Sequence, residues 1–357
     1  MIKLTRLAII LAFVVVVLGA YTRLTDAGLG CPDWPGCYGH LLVPTEQQSA
    51  VAQARFPDQP IEPQKAWNEM IHRYFAGTLG ILILILALLP WRKEQAGGGR
   101  SYSAYKGHTF ALLVVVVFQA ILGMWTVTMA LKPIVVMAHL IGGFSVFILL
   151  VFLHMRLMRT QHKQFVASFT GIPTIGVLAL SVLILQIALG GWTSSNYAAL
   201  ACTQLPICEG DWSNRLDFAQ AFSMTPEAES YQYGVLDYAA RMTIHISHRI
   251  GAIFTAIVML SWLFVFVKRS QVPQTKRTAL LVFTLLVAQI VLGISNVFFS
   301  LPLYVAVAHN AVALLLLTAM VKSVYLYSLS QIDNVKPVTH EESKNAQQDR
   351  SQIFTTN

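Results

Sequence analysis

Eight stretches of this chain are continuously apolar for roughly twenty residues each, enough for a helix to cross the hydrocarbon core of a bilayer. They lie at about 5–22, 69–90, 108–129, 134–155, 172–193, 243–267, 278–299 and 303–327. No polar alternation runs through them, so they read as helices and not as barrel strands. An all-α integral membrane protein is the expected fold class. Composition agrees, because 12% charged residues against 55% hydrophobic ones cannot coat a water-soluble body of 357 residues. The same balance excludes a disordered chain, a collagen-like fibre and a small disulfide scaffold. The net charge of +8 is split into short clusters between the apolar runs and forms no basic stripe, so nucleic acid is not an expected partner.

Those clusters set an orientation. Lys3 and Arg6 flank the first run, Arg92, Lys93, Arg100 and Lys106 follow the second, Arg156, Arg159 and Lys163 the fourth, and Lys268, Arg269, Lys276 and Arg277 the sixth. By the positive-inside rule both termini are cytoplasmic in a bacterial-type inner membrane, and the long loops 23–68 and 194–242 face outward. The first run, ending in Leu18-Gly19-Ala20, resembles a signal peptide, but an internal copy of its motif argues for a retained span. The polar stretch 331–357 is expected to be a disordered cytoplasmic tail.

Displacing the sequence by about 170 residues lays one half on the other. VVVLGAYTRLTDAGLGCPDWPGC, ending at Cys37, matches ILQIALGGWTSSNYAALACTQLPIC, ending at Cys208. Gln119 and His139 match Gln289 and His309, and the residues around His72 match those around His248. Residues 1–160 and 161–330 then form two tandem, parallel-related four-helix bundles, because an even number of spans per repeat preserves orientation. The pattern x-x-L-G recurs in the odd-numbered spans at Gly19, Gly123, Gly190 and Gly293, which predicts close helix packing through small residues.

The repeat selects four of the ten histidines: His72, His139, His248 and His309, each a few residues into an even-numbered span. Two histidines on facing helices of a bundle can supply both axial ligands of a haem iron. His72 would pair with His139 and His248 with His309; four hydrogen-bonded interior histidines are the bland alternative. A zinc site lacks third and fourth ligands, and no CxxCH is present for covalent attachment. Arg73 and Arg249 directly follow their histidines, placed either to pair with haem propionates or to snorkel at the interface. Three residues before His72 stands Glu69, whereas His245 stands before His248. An acid on the ligand's helix face in one half alone suggests chemistry in that half and electron handling in the other, with a helix-start glutamate as the plain reading. Cys31 and Cys37 are six apart, as are Cys202 and Cys208; on an oxidising side each pair closes a loop, either as a staple or as a redox-exchanging pair.

With these motifs in hand, the chain resembles the heme A synthase family. The likeness rests on YTRLTDAGLGCPDWPGC, NEMIHR, MAHLIGG, ISHRIGA and AVAHNAVA, in order, over about residues 1–330. The resemblance implies oxidation of the C8 methyl of heme O to a formyl group by successive hydroxylations, for cytochrome oxidase biogenesis. It further implies heme O and heme A as substrate and product in the N-terminal half and one haem b in the C-terminal half. Glu69 would be the catalytic carboxylate, His72 and His139 the substrate-haem ligands, and His248 and His309 the cofactor ligands. Implied partners are the synthase that supplies heme O, an electron-transfer protein and the bilayer; homo-oligomerisation is left open. The rival readings are a di-haem b-type cytochrome that only relays electrons, and a transporter of haem. Residues 194–242 have no assignment.

The charge clusters make a direct prediction about sidedness. A membrane-impermeant thiol reagent is expected to label Ser49→Cys and Ser223→Cys in intact cells and to spare Ser101→Cys. Labelling of Ser101→Cys would overturn the orientation.

Overall fold

The computed structural model describes residues 1–95, 100–161, 173–206, 208, 210–223, 226–270 and 272–333. Eight of its helices are long and apolar enough to span a membrane. They are α1 (Ile2–Leu24), α2 (Pro63–Gln95), α3 (Lys106–Thr128), α4 (Pro133–Gln161), α5 (Thr174–Ser195), α6 (Tyr238–Arg269), α7 (Thr275–Phe298) and α8 (Leu303–Asp333). Short helices lie at Glu46–Arg55, Arg100–Ser103 and Phe218–Ala221, and no strand occurs among the described residues. The expected all-helical membrane class is therefore correct. Helices α2 and α6 begin several residues before the apolar runs, because a helix continues through polar interfacial residues that a hydropathy reading leaves out. Helix α8 reaches Asp333, and the rest of the expected tail falls outside the described residues.

The helices are apolar on all sides, which is the pattern of lipid contact on one face and protein contact on the other. In α6 the outward stripe is Ile253, Ile257, Leu260 and Phe264, while Thr255, Met259, Trp262 and Phe266 are buried. Proline opens α2 and α4, where its missing N–H removes no helical bond. The α3–α4 turn places Ala130 and Leu131 at φ +46° and +65°, and 170 residues later the α7–α8 turn places Ser300 and Leu301 at +55° and +62°. In each, the second of these residues donates back to its helix, Leu131 to the Thr126 carbonyl (2.8 Å) and Leu301 to that of Asn296 (2.7 Å). The last carbonyls are thereby satisfied without a glycine.

Helix α1 packs on α2 and α4, and α3 packs on the same two; α5 likewise packs on α6 and α8, and α7 on the same two. The two sets meet where α1 touches α8 and α4 touches α5. Ala8, Ala12, Phe144, Phe147, Leu183, Leu314 and Leu317 belong to one apolar core that crosses this seam. Small residues on α1 let the facing helices approach closely.

Polar contacts close the seam at the end carrying the disulfide loops. Arg23 donates to the Ser194 carbonyl (2.7 Å) and lies 4.1 Å from the centre of the Tyr197 ring, while Tyr197 donates to Asp26 (3.0 Å). At the opposite end Arg159 donates to the Tyr325 hydroxyl (3.2 Å). The segment between α5 and α6 lies across the first half: the Tyr231 amide donates to the Ala130 carbonyl (3.0 Å) and the Gln232 side chain to that of Asp26 (3.4 Å). It is also tied to its own half, since Trp192 donates to the Ala221 carbonyl (2.9 Å).

The Arg23 contacts generate a stability prediction. Arg23→Ala removes a charged hydrogen bond and a cation–π contact, and is expected to cost about 1–3 kcal/mol. Tyr197→Phe, which keeps the ring, should cost less. Thermal midpoints in detergent check both, and an unchanged midpoint for Arg23→Ala would show that the seam does not depend on it.

Candidate metal centres

His139 and His309 fall about two turns into α4 and α8, and His72 and His248 about a turn deeper into α2 and α6. All four rings are half-buried. The helix packing brings them together in twos: His139 lies within electrostatic range of His72, and His248 within that of His309.

Each ring rests against a glycine of the preceding helix. A Cβ built on Gly19 would stand 2.9 Å from Cε1 of His72; on Gly123, 3.1 Å from that of His139; on Gly190, 3.1 Å from that of His248; and on Gly293, 3.2 Å from that of His309. These are the four x-x-L-G glycines. Close packing was the expectation, and it holds, but what packs against the glycine is the imidazole itself. Any side chain there would push the ring away.

Glutamines hold three of the rings from a second side. The Gln119 amide nitrogen is 3.0 Å from Nδ1 of His139 and 2.5 Å from its carbonyl oxygen; that of Gln186 is 3.0 Å from Nδ1 of His248 and 2.9 Å from its carbonyl. Gln289 meets His309 at Nε2, 3.1 Å away. Gln119 and Gln289 were visible in the repeat. Gln186 was missed, although the spacing Q-x-x-L-G, present three times, marks it.

These features fit a haem iron. Among the described residues no three or more His, Cys, Asp or Glu side chains gather into a cage for a bare metal ion. Two axial histidines suffice where a porphyrin supplies the remaining donors. Nδ1 of His72 and of His309 is buried without a hydrogen-bond partner, which leaves polar atoms in the bundle interior for a ligand to use.

Glu69 sits one turn before His72 with 4% of its surface exposed. Its Oε1 accepts from Arg73 (2.5 Å) and its Oε2 from the Cys31 amide (2.9 Å), so the carboxylate ties α2 to the disulfide loop. The loop presses on the start of α2, where a Cβ on Gly30 would stand 2.6 Å from the Lys65 carbonyl. Cys31 is joined to Cys37 and Cys202 to Cys208, with Cα atoms 4.7 and 4.9 Å apart, as the spacing led us to expect. Arg73 also donates to the carbonyls of Asp33 (2.9 Å) and Gly36 (2.6 Å). Arg249 repeats this in the other half, donating to Cys202 (2.7 Å) and Gln204 (2.7 Å), with its Nε 3.2 Å from Nε2 of His245. Both arginines are thus engaged with their loops, and a propionate would compete with carbonyls for the same N–H groups. Nearby, Tyr38 donates to the Pro60 carbonyl (2.9 Å). Burial, with the charges of Glu62, Glu69 and Asp33, pushes its phenol pKa up and keeps it a donor.

Comparison with known proteins adds to this geometry. A sequence model of the COX15-CtaA family, described as cytochrome oxidase assembly protein, matches residues 3–321. The heme A synthase of Shewanella oneidensis is 51% identical over 334 residues, covering 92% of this chain and 97% of that protein. The heme A synthase of Beijerinckia indica is 26% identical, covering 90% of each. The mouse protein named heme A synthase COX15 is 25% identical, covering 85% of this chain and 76% of that one. With four histidines seated on glycines and a family match running through nearly all of the described spans, the chain belongs to the COX15-CtaA family of cytochrome oxidase assembly proteins.

Proposed function

We propose that this protein is an oxidoreductase that converts heme O to heme A within the membrane. The observation that carries the reading is the pair of histidine pairs, set by one glycine device, of which the first alone has a buried carboxylate one turn away. Residues 1–160 would hold the substrate haem between His72 and His139, and residues 161–330 one haem b between His248 and His309. When bound, haem b supplies the one-electron chemistry that side chains lack. Turning a methyl into a formyl group is a four-electron oxidation, so the reaction needs an acceptor for four electrons, a role this reading gives to an electron-transfer partner. The disulfide loops face outward in this reading, and both termini are cytoplasmic.

The chain's own groups have definable tasks. His72 and His139 orient the substrate in the bundle, and the apolar helix faces exclude water while giving the isoprenoid tail of heme O a place among the lipids. Glu69 places a carboxyl group one turn from His72, held by Arg73 and by the Cys31 amide. It can steady positive charge that develops as the methyl is oxidised, or take up a proton.

Glu69→Gln tests the assignment. The amide can still accept from Cys31 but loses the charge, so the variant is expected to keep its C-terminal haem and its disulfide and to accumulate unreacted or partly hydroxylated substrate. Glu69→Asp withdraws the charge by roughly one methylene and should be intermediate, since a shift of order 1 Å can cost ~100-fold. Pigments extracted beside a heme O source and weighed by mass spectrometry read the result; wild-type heme A from Glu69→Gln removes the residue from the chemistry. In parallel, His248→Ala or His309→Ala should abolish the stable b-type spectrum, and His72→Ala or His139→Ala should abolish conversion while keeping it. Equal haem loss in all four would refute the division of labour.

A further inference from the structure

A haem held between His248 and His309 has one charged edge, its two propionates, and that edge cannot point down the bundle. Deeper than the histidines the C-terminal helices are filled by Leu183, Met259, Leu286 and Leu314, all buried. Unpaired carboxylates there would be costly, so the propionates face the end that carries the disulfide loops. Arg249, beside the ligand, already donates to the Cys202 and Gln204 carbonyls.

A second arginine stands on the side of His248 toward which the propionates point. Arg241 is seven residues before His248, two turns or about 10 Å of helix nearer the loops and on almost the same face. On one flank Ala240 and Ile244 pack into the cluster around Trp192, and on the other Met242 and Ile246 pack against Cys202 and Cys208. Arg241 lies on the stripe between these flanks, as His245 and His248 do. It is half-buried, and its Nε is closed to solvent without a hydrogen-bond partner among the described residues. A snorkelling arginine would instead carry its donors into water. The ordinary partner is at hand and unused: Asp237, four residues earlier on the helix, accepts from Gln220 (3.2 Å) and makes no ion pair with Arg241. The matching cation of the first half, Lys65, seven residues before His72, is paired with Glu62 (2.9 Å).

Resting on the haem-ligand reading above, we infer that Arg241 binds a propionate of the resident haem in the C-terminal half. A carboxylate supplies the acceptor that Nε lacks, and the guanidinium neutralises a charge brought into the mouth of the bundle. The first half differs in the way a site for exchange requires. A haem entering there meets a lysine already neutralised by Glu62, so its propionates gain less from staying.

Haem transfer to excess apomyoglobin from the purified, haem-loaded full-length protein tests this. Arg241→Gln is expected to speed loss of the C-terminal haem by about 10–100-fold, the worth of one charged hydrogen bond, and Arg241→Lys, which keeps the charge, by much less. The midpoint potential of that haem should fall in Arg241→Gln, because an uncompensated propionate stabilises ferric iron, and should stay near wild type in Arg241→Lys. Loading with the dimethyl ester of the same haem, which has no propionate charge, separates binding from packing. The ester should leave wild type faster than haem does, and should leave wild type and Arg241→Gln at equal rates. An ester lost faster from Arg241→Gln by the same factor as haem makes the residue structural and overturns the inference; so does haem loss that Arg241→Gln leaves unchanged. If that variant fails to fold, ester lost no faster than haem from wild type overturns it. His248→Ala keeps the two readings apart. If it retains the b-type spectrum, the haem-site reading falls; if it loses haem while Arg241→Gln behaves as wild type, only the role of Arg241 falls.

Discussion

Everything at the two centres depends on how near the odd-numbered helices come to the even-numbered ones. In lipid no hydrophobic force drives helices together, so small residues and close van der Waals contact decide which faces meet. Here the smallest residue of α1, α3, α5 and α7 meets the edge of an imidazole on the neighbouring helix. One contact therefore sets the helix spacing and the rotation of the ring. That coupling explains why a leucine–glycine pair stands opposite the histidine in each of the four odd-numbered helices.

Around this common frame the two halves differ in the side chains beside the first histidine of each pair. Both use an arginine directly after the first histidine to bind the carbonyls of a disulfide-closed loop. In the first half the same arginine also meets a carboxylate, and in the second a histidine. A carboxylate neutralised by guanidinium and a main-chain N–H can stay charged inside a bundle, where a lone one would be costly. The loop thus serves as the housing of Glu69 as well as a cover.

The spans were legible because a bilayer demands long apolar segments, and the histidines because the repeat singled out four of ten. Helix starts were not: the first turns of α2, through Gln64, Lys65 and Asn68, are polar and look like loop to a hydropathy reading. Glu69 was legible as an acid near a ligand, but its bond to Cys31 joins residues far apart in sequence, and no local pattern announces such a contact. Gln186 was legible in principle. It was passed over because its counterpart in the first half is Val15, so aligning the halves shows a mismatch where aligning the four odd helices shows a rule. The path of residues 196–237 had no signal at all, since it depends on backbone contacts made by Tyr231 and on a side-chain bond from Gln232.

That path has a mechanical consequence. The segment between α5 and α6 hydrogen-bonds to the α3–α4 turn, and Arg23 of α1 spends a donor on the Ser194 carbonyl at the end of α5. A main-chain carbonyl near the edge of the lipid has no water to fall back on, so each set of four helices relies on the other for a hydrogen bond that its own residues do not supply. Prising the two sets apart would therefore uncover polar backbone as well as apolar surface, and the seam resists shear at this end in a way that a purely apolar contact would not.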